Sequence, residues 1–378
     1  MQKTDTLIFI IVAILMIIGG VFSYSLPIFL EMRTGLNEFH FAIRYIGISF
    51  IGLVTMIILS YLNPEKWFEK IGFLILISSA ILLVIMPFLP PSLAPVINGA
   101  KRWINLGIVK LAPVEFFKIG MIFFLSWTFT RKMGNKTLKE ELKQIIIYLS
   151  FLGFFWFFVI AYQSDLGQVV VMLLIFTLML FIAGGKYQTV GIIIGIGAIL
   201  FVISILIKPY RIERIKLWLN RINNVFFPNS ETTTSIISND QLQQSLNAIY
   251  HGGVFGTGIG NGVFKLGYLS DVHTDFVLAG IAEESGIIGI SLILILITAL
   301  VYRIFKIAFR NEKKEYQLFA FGIGSLIAIQ FIINALGVTS VFPLKGLTVP
   351  FLSYGGSSLF ALSIGIGMVL MISKKAKL

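Results

Sequence analysis

Apolar runs about as long as a bilayer is thick recur along the whole chain. A helix needs roughly 20 such residues to cross the hydrocarbon core. Runs of that kind can be placed near 6–28, 41–62, 71–88, 113–130, 144–162, 165–184, 187–207, 273–301, 316–341 and 351–373. Inside hydrocarbon every backbone N–H and C=O must be paired within the protein, so these runs are expected to be helices. The expected fold class is all-α: a polytopic membrane protein with about ten transmembrane helices, forming one integral domain over 1–378. Only 13% of the residues are charged, against roughly a quarter in soluble domains. The first run, Leu7 to Phe22, has the length of a signal peptide. It lacks a strongly basic start and a small-residue cleavage site, and reads as a true span.

Ten spans place both termini on one side, and charge decides which. Lys and Arg outnumber Asp and Glu by 30 to 18. The excess gathers in the short loops on the side of the termini, at Arg131, Lys132, Lys136, Lys139 and Lys143, and again at Arg303, Lys306, Lys313, Lys314, Lys374, Lys375 and Lys377. Cytoplasmic loops carry such an excess, so both termini are expected in the cytoplasm. The net charge of +12 is then an orientation signal, and no nucleic-acid partner is expected. One large extracytoplasmic loop, 208–272, joins spans seven and eight. Its 208–223 part has the spacing of an amphipathic surface helix. The absence of Cys excludes disulfide and thiolate chemistry, and three His are too few for a His-rich metal centre.

The polar residues of the outer face supply the candidates for chemistry. Ionisable groups at membrane depth are costly and tend to mark a functional cavity. Asp275, in His273-Thr274-Asp275-Phe276, is the best placed carboxylate. Glu283 lies eight residues on, near two helical turns, so both can line one face. Lys101 and Arg102 in Asn98-Gly-Ala-Lys-Arg-Trp-Ile-Asn can clamp a pyrophosphate, with Trp103 at the headgroup level. An interfacial belt with solvated charges explains the same segment. Glu115 and Lys118 can pair at i, i+3, in a structural or a cavity role. Asp165, in Gln163-Ser-Asp-Leu-Gly, can cap the next span, or line a cavity with Gln163. The glycine-rich run from Tyr250 to Gly262 lacks the βαβ context of a dinucleotide loop and reads as a tight outer turn. Two prolines in 342–359 predict a non-helical entry to the last span, carrying Lys345, Ser353, Ser357 and Ser358.

Taken together these motifs resemble the SEDS family of shape, elongation, division and sporulation proteins, over nearly the whole chain. His-Thr-Asp-Phe and Pro-Phe-Leu-Ser-Tyr-Gly-Gly-Ser-Ser carry the resemblance most specifically. Asn261 and Lys345 are closer to the FtsW branch than to the RodA branch. Ser164, Ser270-Asp271 and Ser285 depart from the family's pattern beside the site. The resemblance implies a peptidoglycan glycosyltransferase in the bacterial cytoplasmic membrane that polymerises lipid II on its outer face. It also implies a class B penicillin-binding protein as partner, with further divisome or elongasome membrane proteins. It gives Asp275 the catalytic role.

The residues can support such a transfer. Pyrophosphate is a good leaving group, so cations can replace the general acid that a glycosidase needs. Asp275 serves as base. Lys101, Arg102 and Lys345 hold the pyrophosphate, with room for a divalent cation, Mg2+ or Mn2+, whose ligands the sequence does not identify. Trp103, Gln163, His273, Thr274, Ser353 and Ser358 are the remaining candidate substrate contacts. Two other readings stay open on the residues alone: a lipid II flippase or transporter, and a non-catalytic scaffold for a penicillin-binding protein.

Overall fold

A computed structural model describes residues 4–97, 99–107, 110–132, 137–207, 212–213, 215–216, 218–219, 241–342 and 346–376. The helices are α1 (Thr6–Ser25), α2 (Ile28–Thr34), α3 (His40–Tyr61), α4 (Pro64–Ile85), α5 (Pro113–Lys132), α6 (Leu138–Ala161), α7 (Leu166–Ile182), α8 (Tyr187–Leu206), α9 (Gln241–Gly252), α10 (Val277–Arg310), α11 (Lys314–Val338) and α12 (Gly356–Ser373). Among the described residues, eight helical segments are long and apolar enough to cross a membrane. The remaining two expected spans are helical as well. α7 is apolar but has 17 residues, and α5 has 20 residues but carries Glu115 and Lys118.

Local signals set several ends. Asn63 caps α4 ahead of Pro64 in its first turn, where proline's missing N–H costs nothing. Thr137 and Glu140 form a reciprocal capping box on α6. Asp5 accepts from the Leu7 amide at 3.2 Å and from Arg303 Nη2 at 2.7 Å, which ties α1 to α10. α4 starts seven residues before the span expected at 71, because its first turns are amphipathic rather than apolar. The last helix starts at Gly356 rather than 351, since the preceding segment is irregular, as the prolines predict.

α11 and α12 form the centre of the bundle. Of their most apolar windows, 78% and 83% of the residues are buried, against 17% in α8. α5 packs against α4, α11 and α12. Small residues allow the approach: a methyl group on Gly120 of α5 would lie 2.7 Å from the Leu76 Cα of α4. In a membrane such close packing replaces the hydrophobic effect as the driving force.

Two irregular segments shape the outer end. In the first, residues 104–105 pair antiparallel with 110–111. The strand is pinned to α12, where Ser357 Oγ donates to Lys110 O and accepts from the Ala112 amide, both at 2.9 Å. In the second, the chain after α9 folds back on α10 where that helix breaks at Gly286 (φ 65°, ψ −167°). The break frees the carbonyls of Glu283 and Glu284, which accept from the Thr257 and Gly258 amides, each at 3.0 Å. The amides of Ile287 and Ile288 donate in turn to the carbonyls of Gly253 and Val254. The glycine-rich run is thus the partner of a broken helix, as unpaired backbone at membrane depth requires. Of the expected surface helix, the described residues 212–213, 215–216 and 218–219 are helical, and Trp218 Nε1 donates to Ser340 O at 2.9 Å.

Candidate active site

Three consecutive carbonyls hold the segment that carries Asp275. His273 O accepts from the Tyr354 amide at 2.9 Å. Thr274 O accepts from Ser353 Oγ at 2.6 Å. Asp275 O accepts from Asn334 Nδ2 at 2.8 Å. The donors come from the irregular entry to α12 and from the outer end of α11. Asp275 is half-buried and precedes α10, whose N-cap is Phe276. The expected shared helix face with Glu283 is therefore corrected: Asp275 lies outside the helix. Instead it lines a small pocket with Asn334, Gly346, Leu347, Phe276 and Leu242.

The rings around this segment restrict it further. His273 packs between Phe41, at 5.3 Å between centroids, and Tyr354, at 6.1 Å. Burial holds the His273 imidazole below its ordinary pKa, opposed by Asp271. Burial likewise raises the Tyr354 phenol, opposed by the Arg44 guanidinium nearby. Tyr45 of α3 donates its hydroxyl to the carbonyl of Phe351, which adopts a left-handed φ of 61°. Ser353 accepts from the Val349 amide at 2.8 Å, and Ser358 accepts from Thr348 Oγ1 at 3.1 Å. Both serines therefore order the irregular segment.

A second polar cluster lies at the α6–α7 hinge. Arg102 Nε donates to Gln163 O at 2.9 Å. The Lys101 amide donates to Tyr162 O at 3.0 Å, and Lys101 Nζ to the carbonyls of Pro87 and Leu89, at 2.9 and 2.8 Å. Lys101 thus spends two of its three N–H donors on the carbonyls of 87 and 89, whereas among the described residues Arg102 bonds through Nε. Trp103 follows on the same half-buried, irregular segment, just before the strand at 104–105. Asp165 caps α7 through the Gln168 amide at 3.2 Å. Burial pushes its carboxyl up, with Arg102 pulling the other way.

One turn inside, Lys118 Nζ pairs with Glu115 Oε2 at 2.9 Å and donates to Gln168 Oε1 at 2.8 Å. Gln168 Nε2 closes the ring on Glu115 Oε1 at 3.0 Å. Leu347 sits between the two clusters. Its side chain comes within 3.7 Å of a methyl built on Gly167, and it lines the Asp275 pocket.

Glu283 serves the outer loop. Its carboxylate accepts from the Val263 and Phe264 amides, at 2.6 and 3.1 Å, and meets His251 Nδ1 at 3.1 Å. Lys345 lies outside the described residues. Among those described, no three His, Cys, Asp or Glu side chains gather to hold a metal ion.

Sequence reasoning missed Asn334, Gln168, Tyr354 and Arg44. Asn334 and Gln168 carried a usable signal, since a buried amide inside an apolar run needs a partner.

The model of the FtsW/RodA/SpoVE cell cycle proteins matches residues 5–378. This chain belongs to the FtsW/RodA/SpoVE family. A relative in Helicobacter pylori, strain ATCC 700392 / 26695, named a probable peptidoglycan glycosyltransferase FtsW, is 40% identical over the full length of both chains. The stage V sporulation protein E of Bacillus subtilis is 33% identical over 99% of this chain and 98% of its own. Among solved structures, Thermus thermophilus RodA superposes with a TM-score of 0.67 at 22% identity, over 100% of this chain and 99% of its own. A chain of a peptidoglycan synthase complex, described as coordinating polymerization and crosslinking, superposes at 0.72 and 23%, over 99% and 98%. The FtsW/RodA/SpoVE fold is thus shared, and this family member is a multi-pass protein of the bacterial inner membrane.

Proposed function

We propose that this chain is an FtsW-like peptidoglycan glycosyltransferase that polymerises lipid II at the outer face of the membrane. Its full-length relatives bear that activity in their names. The observation that carries the site assignment is the capture of the 273–275 backbone by three donors, which fixes Asp275 at the outer mouth of the bundle. A fixed carboxylate there suits a general base, whose work depends first on geometry.

In the reaction, an acceptor sugar hydroxyl attacks the anomeric carbon of the donor strand. The new C–O bond forms as the bond to the pyrophosphate oxygen breaks. The hydroxyl proton passes to Asp275, and undecaprenyl pyrophosphate leaves with the electron pair. Arg102 and Lys345 stabilise the leaving charge. Lys101, already tied to two carbonyls, contributes mainly by fixing the segment that bears Arg102. The Glu115–Lys118–Gln168 ring supports the cavity from below. A crosslinking partner of the class B penicillin-binding type fits the synthase complex that shares this fold.

The test is turnover of lipid II by purified protein, with and without the partner, comparing the natural chain with Asp275→Asn. Loss of a general base costs about 10²–10⁴-fold. A folded Asp275→Asn variant polymerising at the natural rate would remove Asp275 from the chemistry. Polymerisation that depends on the partner alone would make the chain a scaffold.

A further inference from the structure

Asn334 makes a contact that the chemistry above does not account for. It lies one turn from the outer end of α11 and is 5% exposed. Its Nδ2 donates to Asp275 O at 2.8 Å and to Leu347 O at 2.6 Å. Carbonyl oxygens only accept, so the atom between them must be the amide nitrogen, with its two N–H donors. Serine or threonine brings one donor, and aspartate and leucine bring none. An amide is therefore the chemistry this junction requires. The other end of the same side chain, Oδ1, is buried and has no hydrogen-bond partner among the described residues. A buried orphan acceptor is costly and calls for an explanation. Asn334 and Asp275 line one pocket, with room for about one water-sized group. Oδ1 can be satisfied by such a group.

We propose that Asn334 is a positioning residue for Asp275. It clamps the Asp275 backbone to Leu347, and so fixes the carboxylate relative to the 346–355 segment and to the hinge that Leu347 touches. This rests on the glycosyl-transfer reading above. Asn334 acts through Asp275: without the clamp, the carboxylate loses its register with the acceptor hydroxyl while the surfaces that bind lipid II remain. A misplacement of about 1 Å can cost on the order of 10²-fold in rate.

The experiment compares Asn334→Leu, close in size and without donors, with Asn334→Ser, which keeps one donor. Each is purified with its partner. Lipid II turnover, KM and thermal stability are measured beside Asp275→Asn. The expected result is a kcat lowered about 10- to 100-fold in Asn334→Leu with KM little changed, and an intermediate kcat in Asn334→Ser. If Asn334→Leu does not fold, the Ser variant decides on the same split. A folded variant with lower thermal stability but natural kcat would make the clamp merely structural and overturn the inference. So would a loss confined to KM. If Asp275→Asn itself turns over normally, the reading of Asp275 fails. If Asp275→Asn is inactive and Asn334→Leu is normal, only the role of Asn334 fails.

Discussion

Ser353 donates its hydroxyl to the carbonyl of Thr274 at 2.6 Å, joining segments 79 residues apart. The same oxygen accepts from the Val349 amide at 2.8 Å. One hydroxyl thus closes the turn before α12 and holds the middle of the His-Thr-Asp segment. Ser353→Ala leaves a carbonyl and an amide without their partner. The expected cost is about 1–3 kcal/mol, read as a lower melting temperature together with slower lipid II turnover. Ser353→Thr, which keeps the hydroxyl, should retain more of both. An Ala variant matching the natural protein in melting and in rate would show that the contact is dispensable.

The Lys265–Glu284 pair is buried at both ends, with side chains 1% and 0% exposed and 2.6 Å between charges. Ser25 Oγ and the Gly260 amide also donate to Glu284. Removing one member of such a pair strands the other charge and costs about 3–5 kcal/mol. Glu284→Gln and Lys265→Met should each lower stability strongly. The double variant should recover part of the loss, because no charge remains buried alone. Thermal melts of the three proteins check this, and strictly additive losses would refute it.

The broken helix gives a steric prediction. A methyl group on Gly256, at φ 79°, would sit 2.3 Å from the carbonyl oxygen of Glu284. Gly260 has a similar φ of 92° but open space around it. Gly260→Ala should then cost only the left-handed backbone penalty, roughly 1–2 kcal/mol. Gly256→Ala should cost more, and should expose residues 253–267 to protease because the loop must leave α10. Equal sensitivity of the two variants would mean that the loop does not pack as described.

The spans were legible because a run of apolar residues needs no knowledge of its neighbours. Asp275 stood out as well, since a carboxylate next to apolar sequence is conspicuous. The hold on Asp275 was not. Its three anchors are backbone carbonyls, which carry no residue identity, and Asn334 lies 59 positions away. Helical spacing paired Asp275 with Glu283, but spacing applies only within a helix, and α10 begins at Val277. The glycine-rich run showed that close backbone approach was needed. It could not show that the approaching backbone belonged to a helix broken at Gly286. Lys101 read as a ligand clamp, and nothing in the sequence indicated that the carbonyls of Pro87 and Leu89 would occupy its ammonium.

His273 makes the stability of the site depend on pH. Burial favours its neutral form and holds its pKa below histidine's ordinary value of 6.5, with Asp271 as the opposing charge. Between the folded pKa and 6.5 the unfolded chain binds more protons than the folded one, so stability rises with pH there. The contribution is complete above about pH 6.5 and is lost as pH falls toward the folded pKa. His273→Phe keeps a ring against Phe41 and Tyr354 and removes the titration. Melting temperatures from pH 7.5 down to 5, taken on both proteins, isolate the effect, because the other histidines cancel in the difference. The natural protein should lose more stability than His273→Phe on acidification. Asp271→Asn should enlarge the loss, since removing the carboxylate lowers the His273 pKa further. Parallel curves for the natural protein and His273→Phe would show that His273 is not held neutral by its surroundings.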